Sequence, residues 1–176
     1  MSHVSRKHKA KAPIALNFAV IVCSTARYKQ AMAGTAAEDE SGDLIAALLK
    51  QQNHAVTLRK VISDDAALIK ESLSEALPHA DAVIFCGGTG ISPADITIET
   101  ITPLFEKELY GFGEVFRWLS YQAIGSAAVM TRAAAGIVQG KVVFCIPGSP
   151  QAVRLCLEKL ILPEAGHILL HASGKG

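Results

Sequence analysis

The segment Ala82-Val83-Ile84-Phe85-Cys86 runs into Gly87-Gly88-Thr89-Gly90, and Asp95 follows shortly after. A buried strand that ends in a glycine cluster is where an open α/β sheet keeps its ligand, outside the carboxyl ends of its strands. Glycines let backbone N–H groups approach an anion that a Cβ would hold away, and Thr89 adds a hydroxyl donor. The carboxylate of Asp95 would repel a phosphate unless a divalent cation sits between them, so the pairing points to Mg²⁺. An equally open reading is a plain strand-end turn. The stretch matches neither the Walker pattern nor GxGxxG, since no Lys-Ser/Thr follows and the glycine spacing differs.

Strands and helices alternate around this segment. Leu16–Cys23 is a near-continuous apolar run, the mark of a strand covered on both faces. Residues 24–42 are polar and small, a connection long enough to be functional or mobile. Leu44, Ile45, Leu48 and Leu49 recur with helical spacing and predict a helix over 43–52. Residues 55–61 read as a second strand. Ser63-Asp64-Asp65 then provides capping side chains for a helix that runs to about Leu77 and stops at Pro78. Further helices are predicted over 97–105 and 112–122, split by Tyr110-Gly111. Strands over 132–138 and 141–146 flank Gln139-Gly140, a two-residue hairpin turn. Ser149 and Pro150 suit the cap and first turn of a last helix. The predicted fold is a three-layer α/β/α domain with a mostly parallel sheet and an antiparallel edge strand.

The chain has 176 residues, half of them hydrophobic, with a formal net charge of +1. Its mean hydropathy is +0.31, but its apolar runs are too short to cross a bilayer. That length suits one domain, expected over 15–176, behind a disordered basic tail over 1–14. The near-neutral charge gives no reason to expect nucleic-acid binding, and no membrane association is expected. Cys23, Cys86, Cys145 and Cys156 form no CxxC pair and read as small buried hydrophobes in a reduced cytoplasm. His167 and His171, four apart, read as a surface pair on a helix.

Three loops are expected to converge at the carboxyl ends of the strands: 63–65, 87–95 and 147–150. Two bring carboxylates, two bring glycines, and two precede helix N-termini that favour anions. Asp64 and Asp95 would suit a Mg²⁺ site that uses one or two carboxylates plus substrate oxygens. Asp64 also reads as a helix cap, and Glu114 with Arg117 as a solvated pair on one helix face.

In combination these residues resemble the molybdenum-cofactor biosynthesis family of MoaB and MogA type. The matching stretches are Gly87–Thr97, Gly111–Glu114, Thr131–Ile137 and Ile146–Pro150, with Asp39-Glu40-Ser41-Gly42 similar to the segment that opens the family's first long helix. The forms Ile91–Thr97 and Tyr110–Arg117 look closer to MoaB-type members. The resemblance covers about residues 15–170 and implies a cytoplasmic trimer or hexamer, with other cofactor-biosynthesis enzymes as partners. It also implies an adenylyltransferase in which the terminal phosphate of molybdopterin attacks the α-phosphorus of Mg-ATP and pyrophosphate leaves.

By position, Asp95 and Asp64 match the family's catalytic and Mg²⁺-binding aspartates, and Gly87, Gly88, Thr89 and Gly90 its phosphate donors. Ser24, Pro147, Gly148 and Ser149 would line the pterin or nucleotide pocket, and Glu114 fits the motif Gly-Phe-x-Glu. The chain departs from the pattern at Thr25, where many relatives carry an acid, and at Pro93-Ala94, where some carry basic residues. A non-catalytic molybdopterin carrier is the alternative function. A nucleotide-processing hydrolase of the competence-damage type ranks below both.

Overall fold

A computed structural model of the chain describes residues 13, 15–35 and 38–173. The tail expected over 1–14 lies outside the described residues, apart from Pro13. Six strands form one sheet in the order β2-β1-β3-β6-β5-β4. They are β1 (Asn17–Cys23), β2 (Ala55–Ile62), β3 (Ala82–Cys86), β4 (Lys107–Glu108), β5 (Ala134–Val138) and β6 (Lys141–Ile146). Strands β2, β1, β3 and β6 are mutually parallel. Only β5 runs against its neighbours, pairing antiparallel with both β6 and the two-residue edge strand β4. This is the mixed sheet expected from the sequence.

Burial follows position in the sheet. β1, β3, β5 and β6 are buried along nearly their whole length, because helices cover both faces. β2, at the edge, alternates exposed and half-buried residues over most of its length. At the hairpin between β5 and β6, Gln139 (φ 49°) and Gly140 (φ 70°) both take positive φ, as a type I′ turn requires.

Helix α1 (Thr25–Met32) precedes α2 (Glu40–Gln51), and α3 (Ala66–Ala76) follows β2. The short α4 (Thr97–Ile101) continues as a 3₁₀ turn over Thr102–Leu104, and α5 spans Tyr110–Ile124. After β6, α6 (Pro150–Cys156) passes through a π-helical stretch at Leu157–Ile161 into α7 (Leu162–Ala172). One core packs α2, α5, α6 and α7 on the sheet through Ile45, Leu49, Phe116, Val153 and Ala165. The opposite core packs α3 and α4 through Ile69, Leu73 and Ile101.

Three expectations about elements change. The connection over 24–42 contains α1, which has no buried residue and hence no apolar stripe for periodicity to reveal. The helix over 97–105 tightens to 3₁₀ geometry at Thr102, where Pro103 has no N–H to continue an α-helical ladder. Tyr110 and Gly111 do not split two helices; they form the first turn of α5.

Phe144 sits in β6 with no exposed surface and meets Phe112 of α5 at 5.3 Å between ring centroids. Truncation to alanine removes that burial and leaves a cavity. Phe144→Ala is expected to lower unfolding stability by about 3–5 kcal/mol, measured by urea denaturation. A loss below 1 kcal/mol, on the order of a surface change, would show that this position is not central to the core.

Candidate functional site

The chain folds back between β1 and β3 in the 2-1-3 strand order, and ligands of open sheets bind at such a reversal. An open cleft of about 700 Å³ lies there, at the carboxyl ends of β1, β3 and β6. Its floor is Cys23, Cys86, Gly87 and Gly148; Ser24, Arg27, Gln30 and Glu38 form its walls. Among the described residues Arg27 is the only cationic side chain in the lining, so it is the one placed to meet an anion.

The floor depends on missing side chains. A Cβ on Gly87 (φ 103°) would lie 2.4 Å from the carbonyl oxygen of Cys23, so the glycine loop lies directly on the end of β1. A Cβ on Gly148 would come within 3.3 Å of the Gly87 Cα. The Gly87 N–H donates to the Ile146 carbonyl at 2.9 Å, and the Ser41 hydroxyl donates to the Gly148 carbonyl at 2.7 Å. The loops after β3 and β6 are thereby fixed to each other and to the first turn of α2.

Asp64 follows β2 and faces the glycine loop. A Cβ on Gly88 (φ 61°) would lie 2.7 Å from Asp64 Oδ1 and 2.4 Å from the Thr97 hydroxyl. Asp64 is not the helix cap; Asp65 caps α3 by accepting from the Ala67 and Leu68 N–H groups. Oδ2 of Asp64 instead accepts from Thr25, through its N–H at 3.0 Å and its hydroxyl at 2.8 Å. The buried Thr97 hydroxyl has no hydrogen-bond partner among the described residues. Its own N–H donates to the Gly88 carbonyl at 2.9 Å, which ties the start of α4 to the loop.

Asp95 closes the outer end of the loop. Its Oδ2 accepts from the Ser92 N–H at 3.0 Å and lies 2.8 Å from the point a Gly90 Cβ would occupy. The Gly90 carbonyl accepts from Arg132 at 3.2 Å, and Arg132 is also paired with Glu99. Burial works against the Glu99 charge, but the Arg132 guanidinium outweighs it and holds the carboxyl below its usual range. Thr89 is buried, while Gly88 and Gly90 are half-buried.

On the far wall, Asp39 caps α2 by accepting from the Gly42 N–H and pairs with Arg59 at 2.6 Å. Burial opposes the Arg59 charge, but Asp39 and Asp43 together raise its pKa. The thiols on the floor are inert. Burial pushes Cys23 up to about 12, and the neighbouring Asp64 charge adds to the rise. Burial raises Cys86 to about 12 as well.

Of the residues singled out in the sequence, Ser24, Gly87 and Gly148 line the cleft. Asp64 with Gly88, and Asp95 with Gly90, build the adjoining loop. Pro147 and Ser149 face a separate recess of about 190 Å³ beside Phe116 and Thr131, although Ser149 also caps α6. Glu114 is exposed and lines a small pocket of about 100 Å³ with Arg117 and Tyr110. Sequence reasoning assigned no role to Arg27, Gln30, Glu38, Thr25, Ser41 or Arg132. Arg132 and Ser41 lie in stretches that match the family pattern, and Thr25 at a position where the chain departs from it.

A cation is tested by the donor set. No group of three or more His, Cys, Asp or Glu residues is arranged to hold a metal among the described residues. Mg²⁺ bound to substrate phosphates needs only one or two carboxylates. Asp64 Oδ1 and Asp95 Oδ1, the oxygens not engaged by Thr25 or Ser92, meet that requirement.

A glycine-floored cleft at the switch point of a parallel sheet, with Asp64 and Asp95 against the adjoining loop, defines an α/β domain whose ligand site lies outside its strand ends. The comparisons with known proteins narrow this further. A family model described as "Probable molybdopterin binding domain" matches residues 19–167, and the chain belongs to that family. It is 42% identical over 167 residues to Molybdenum cofactor biosynthesis protein B of Bacillus subtilis, covering 93% of this chain and 94% of that protein. It is 46% identical over 171 residues to the Molybdopterin adenylyltransferase of Pyrococcus furiosus, covering 94% and 96%. The crystal structure of the tungsten cofactor synthesizing protein MoaB from Pyrococcus furiosus superposes with a TM-score of 0.81 at 45% identity, covering 92% of this chain and 99% of that one.

Substituting Gly88 separates loop strain from the generic cost of positive φ. Gly140 also has positive φ (70°), but nothing lies within 4 Å of its Cβ position. Gly140→Ala is expected to cost about 1 kcal/mol and Gly88→Ala at least about 2–3 kcal/mol, read as thermal midpoints. Equal losses would mean that the loop yields to a Cβ without cost.

Proposed function

We propose that this chain is a molybdopterin adenylyltransferase of molybdenum cofactor biosynthesis, with ATP and molybdopterin as substrates and Mg²⁺ as its metal. The observation that carries the reading is the meeting of Gly87 and Gly148 on the cleft floor, with Asp64 against Gly88 and Asp95 against Gly90 in the adjoining loop. Family membership and the adenylyltransferase name of the Pyrococcus furiosus relative support it.

In the reaction a terminal phosphate oxygen of molybdopterin forms a bond to the α-phosphorus of ATP. The bond from that phosphorus to the β-bridging oxygen breaks, and pyrophosphate leaves with the electron pair. No protein nucleophile is required, so catalysis rests on positioning and charge stabilisation. The Gly87–Gly90 backbone would supply N–H donors to the phosphates, apart from the Gly87 N–H that the Ile146 carbonyl holds, and the Thr89 hydroxyl would add a donor. Arg27 offers a positive charge from the α1 wall. Asp64 and Asp95 would hold Mg²⁺, which neutralises phosphate charge and orients the triphosphate. Ser24 and Gly148 would shape the pterin side of the cleft, while Pro147 and Ser149 border the neighbouring recess and Glu114 the small pocket at the start of α5.

Self-assembly into a trimer or hexamer belongs to the same reading. Trp118, Tyr121 and Ile124 of α5, with Val129 and Met130 of the following 3₁₀ segment, are all more than half exposed. Clustered exposed apolar side chains of this size mark a contact surface, here for further copies of the chain. Sedimentation equilibrium is expected to give three or six chains, and Trp118→Glu to shift the mass toward one chain. A wild-type monomer at micromolar concentration would contradict it.

Asp95→Asn removes the negative charge and nearly preserves the shape. Pyrophosphate release is expected to fall by at least about a hundredfold, while molybdopterin binding, followed by fluorescence titration, stays within a few-fold of wild type. Full turnover in the variant would remove Asp95 from the mechanism.

A further inference from the structure

Thr25 opens α1 and makes four polar contacts at one point. Its N–H donates to Asp64 Oδ2 at 3.0 Å. Its hydroxyl contacts Asp64 Oδ2 at 2.8 Å, the Asp64 N–H at 3.1 Å and the Ser63 hydroxyl at 3.0 Å. Proton accounting fixes every direction. A carboxylate accepts only and an N–H donates only, so the single Thr25 hydroxyl hydrogen goes to Oδ2. Its two lone pairs then accept from the Asp64 N–H and from Ser63, which must be the donor in that pair. The hydroxyl is saturated, and the arrangement has one orientation.

That orientation has a consequence at the glycine loop. With Oδ2 held by both donors of Thr25, the carboxylate cannot rotate without losing two hydrogen bonds. Oδ1 is left facing Gly88, 2.7 Å from the point its Cβ would occupy. Thr25 itself does not line the cleft, whereas its neighbours Ser24 and Ala26 do. It has no direct access to a ligand there.

We infer that Thr25 is a positioning residue: it clamps Asp64 so that one carboxylate oxygen is presented to the phosphate and metal side of the glycine loop. The inference rests on the proposed role of Asp64. The clamp ties the first turn of α1 to the end of β2, so it also sets how the Arg27 wall stands relative to Asp64. A serine in its place keeps both donors and both lone-pair roles. A valine keeps the shape and the N–H but deletes the hydroxyl, releasing the carboxylate to rotate.

The test is a double-mutant cycle on pyrophosphate release with molybdopterin and Mg-ATP. Thr25→Val is expected to lower kcat by roughly tenfold to a hundredfold, the scale of a small misplacement of a reacting group, with KM changed less than about threefold. Thr25→Ser is expected to restore kcat, and Thr25→Cys, with a weaker donor, to fall between the two. In an Asp64→Asn background Thr25→Val should cause little further loss, because its effect passes through Asp64. Equal fold-losses in both backgrounds, or wild-type kcat in Thr25→Val, would overturn the clamp. Wild-type kcat in Asp64→Asn would instead overturn the reading of Asp64, and the clamp's catalytic purpose with it.

Discussion

The close approach of Gly87 to the Cys23 carbonyl is the contact on which the rest of the site depends. With 2.4 Å between that oxygen and the position of a Cβ, no other residue fits there without moving β1 or the loop. The contact brings the ends of two parallel strands together at the reversal of strand order. The loop after β6 then rests on Gly87 through Gly148, and the cleft floor is complete. A backbone floor leaves amides rather than side chains nearest a ligand, which suits a reaction at phosphorus that needs dipoles and cations more than a nucleophile.

The walls of the cleft are held by charge. Arg59 binds the Asp39 cap of α2 on one side, and Arg132 links the Gly90 carbonyl to Glu99 at α4 on the other. Both arginines lie outside the cleft lining, so they order the helices and loop without competing for the ligand. The thiols of Cys23 and Cys86, kept neutral by burial, add no charge to the floor. Arg27 and Glu38 on the walls, with the aspartates of the adjoining loop, are then the charges a nucleotide or pterin phosphate would meet.

Much of this was legible in the sequence where burial sets the pattern. Continuous apolar runs gave β1, β3 and β6, and Gln139-Gly140 gave the hairpin, because a covered sheet and a type I′ turn each admit few residue types. α1 was not legible, since a helix with no buried face writes no period into the chain. Asp64 read as a possible cap because Ser-Asp-Asp offers three capping side chains in a row; only the fold shows that Asp65 takes that role and Thr25 claims its neighbour. Such contacts join residues 39 positions apart, and no local pattern encodes them. The same holds for Ser41 on Gly148, 107 positions away.

The most direct test of the account is pyrophosphate release by the wild-type protein, with ATP, Mg²⁺ and molybdopterin omitted one at a time. The account predicts release only when all three are present, with adenylylated molybdopterin formed in equal amount. Tight molybdopterin binding with no pyrophosphate under the complete mixture would contradict it and make the cleft a carrier site.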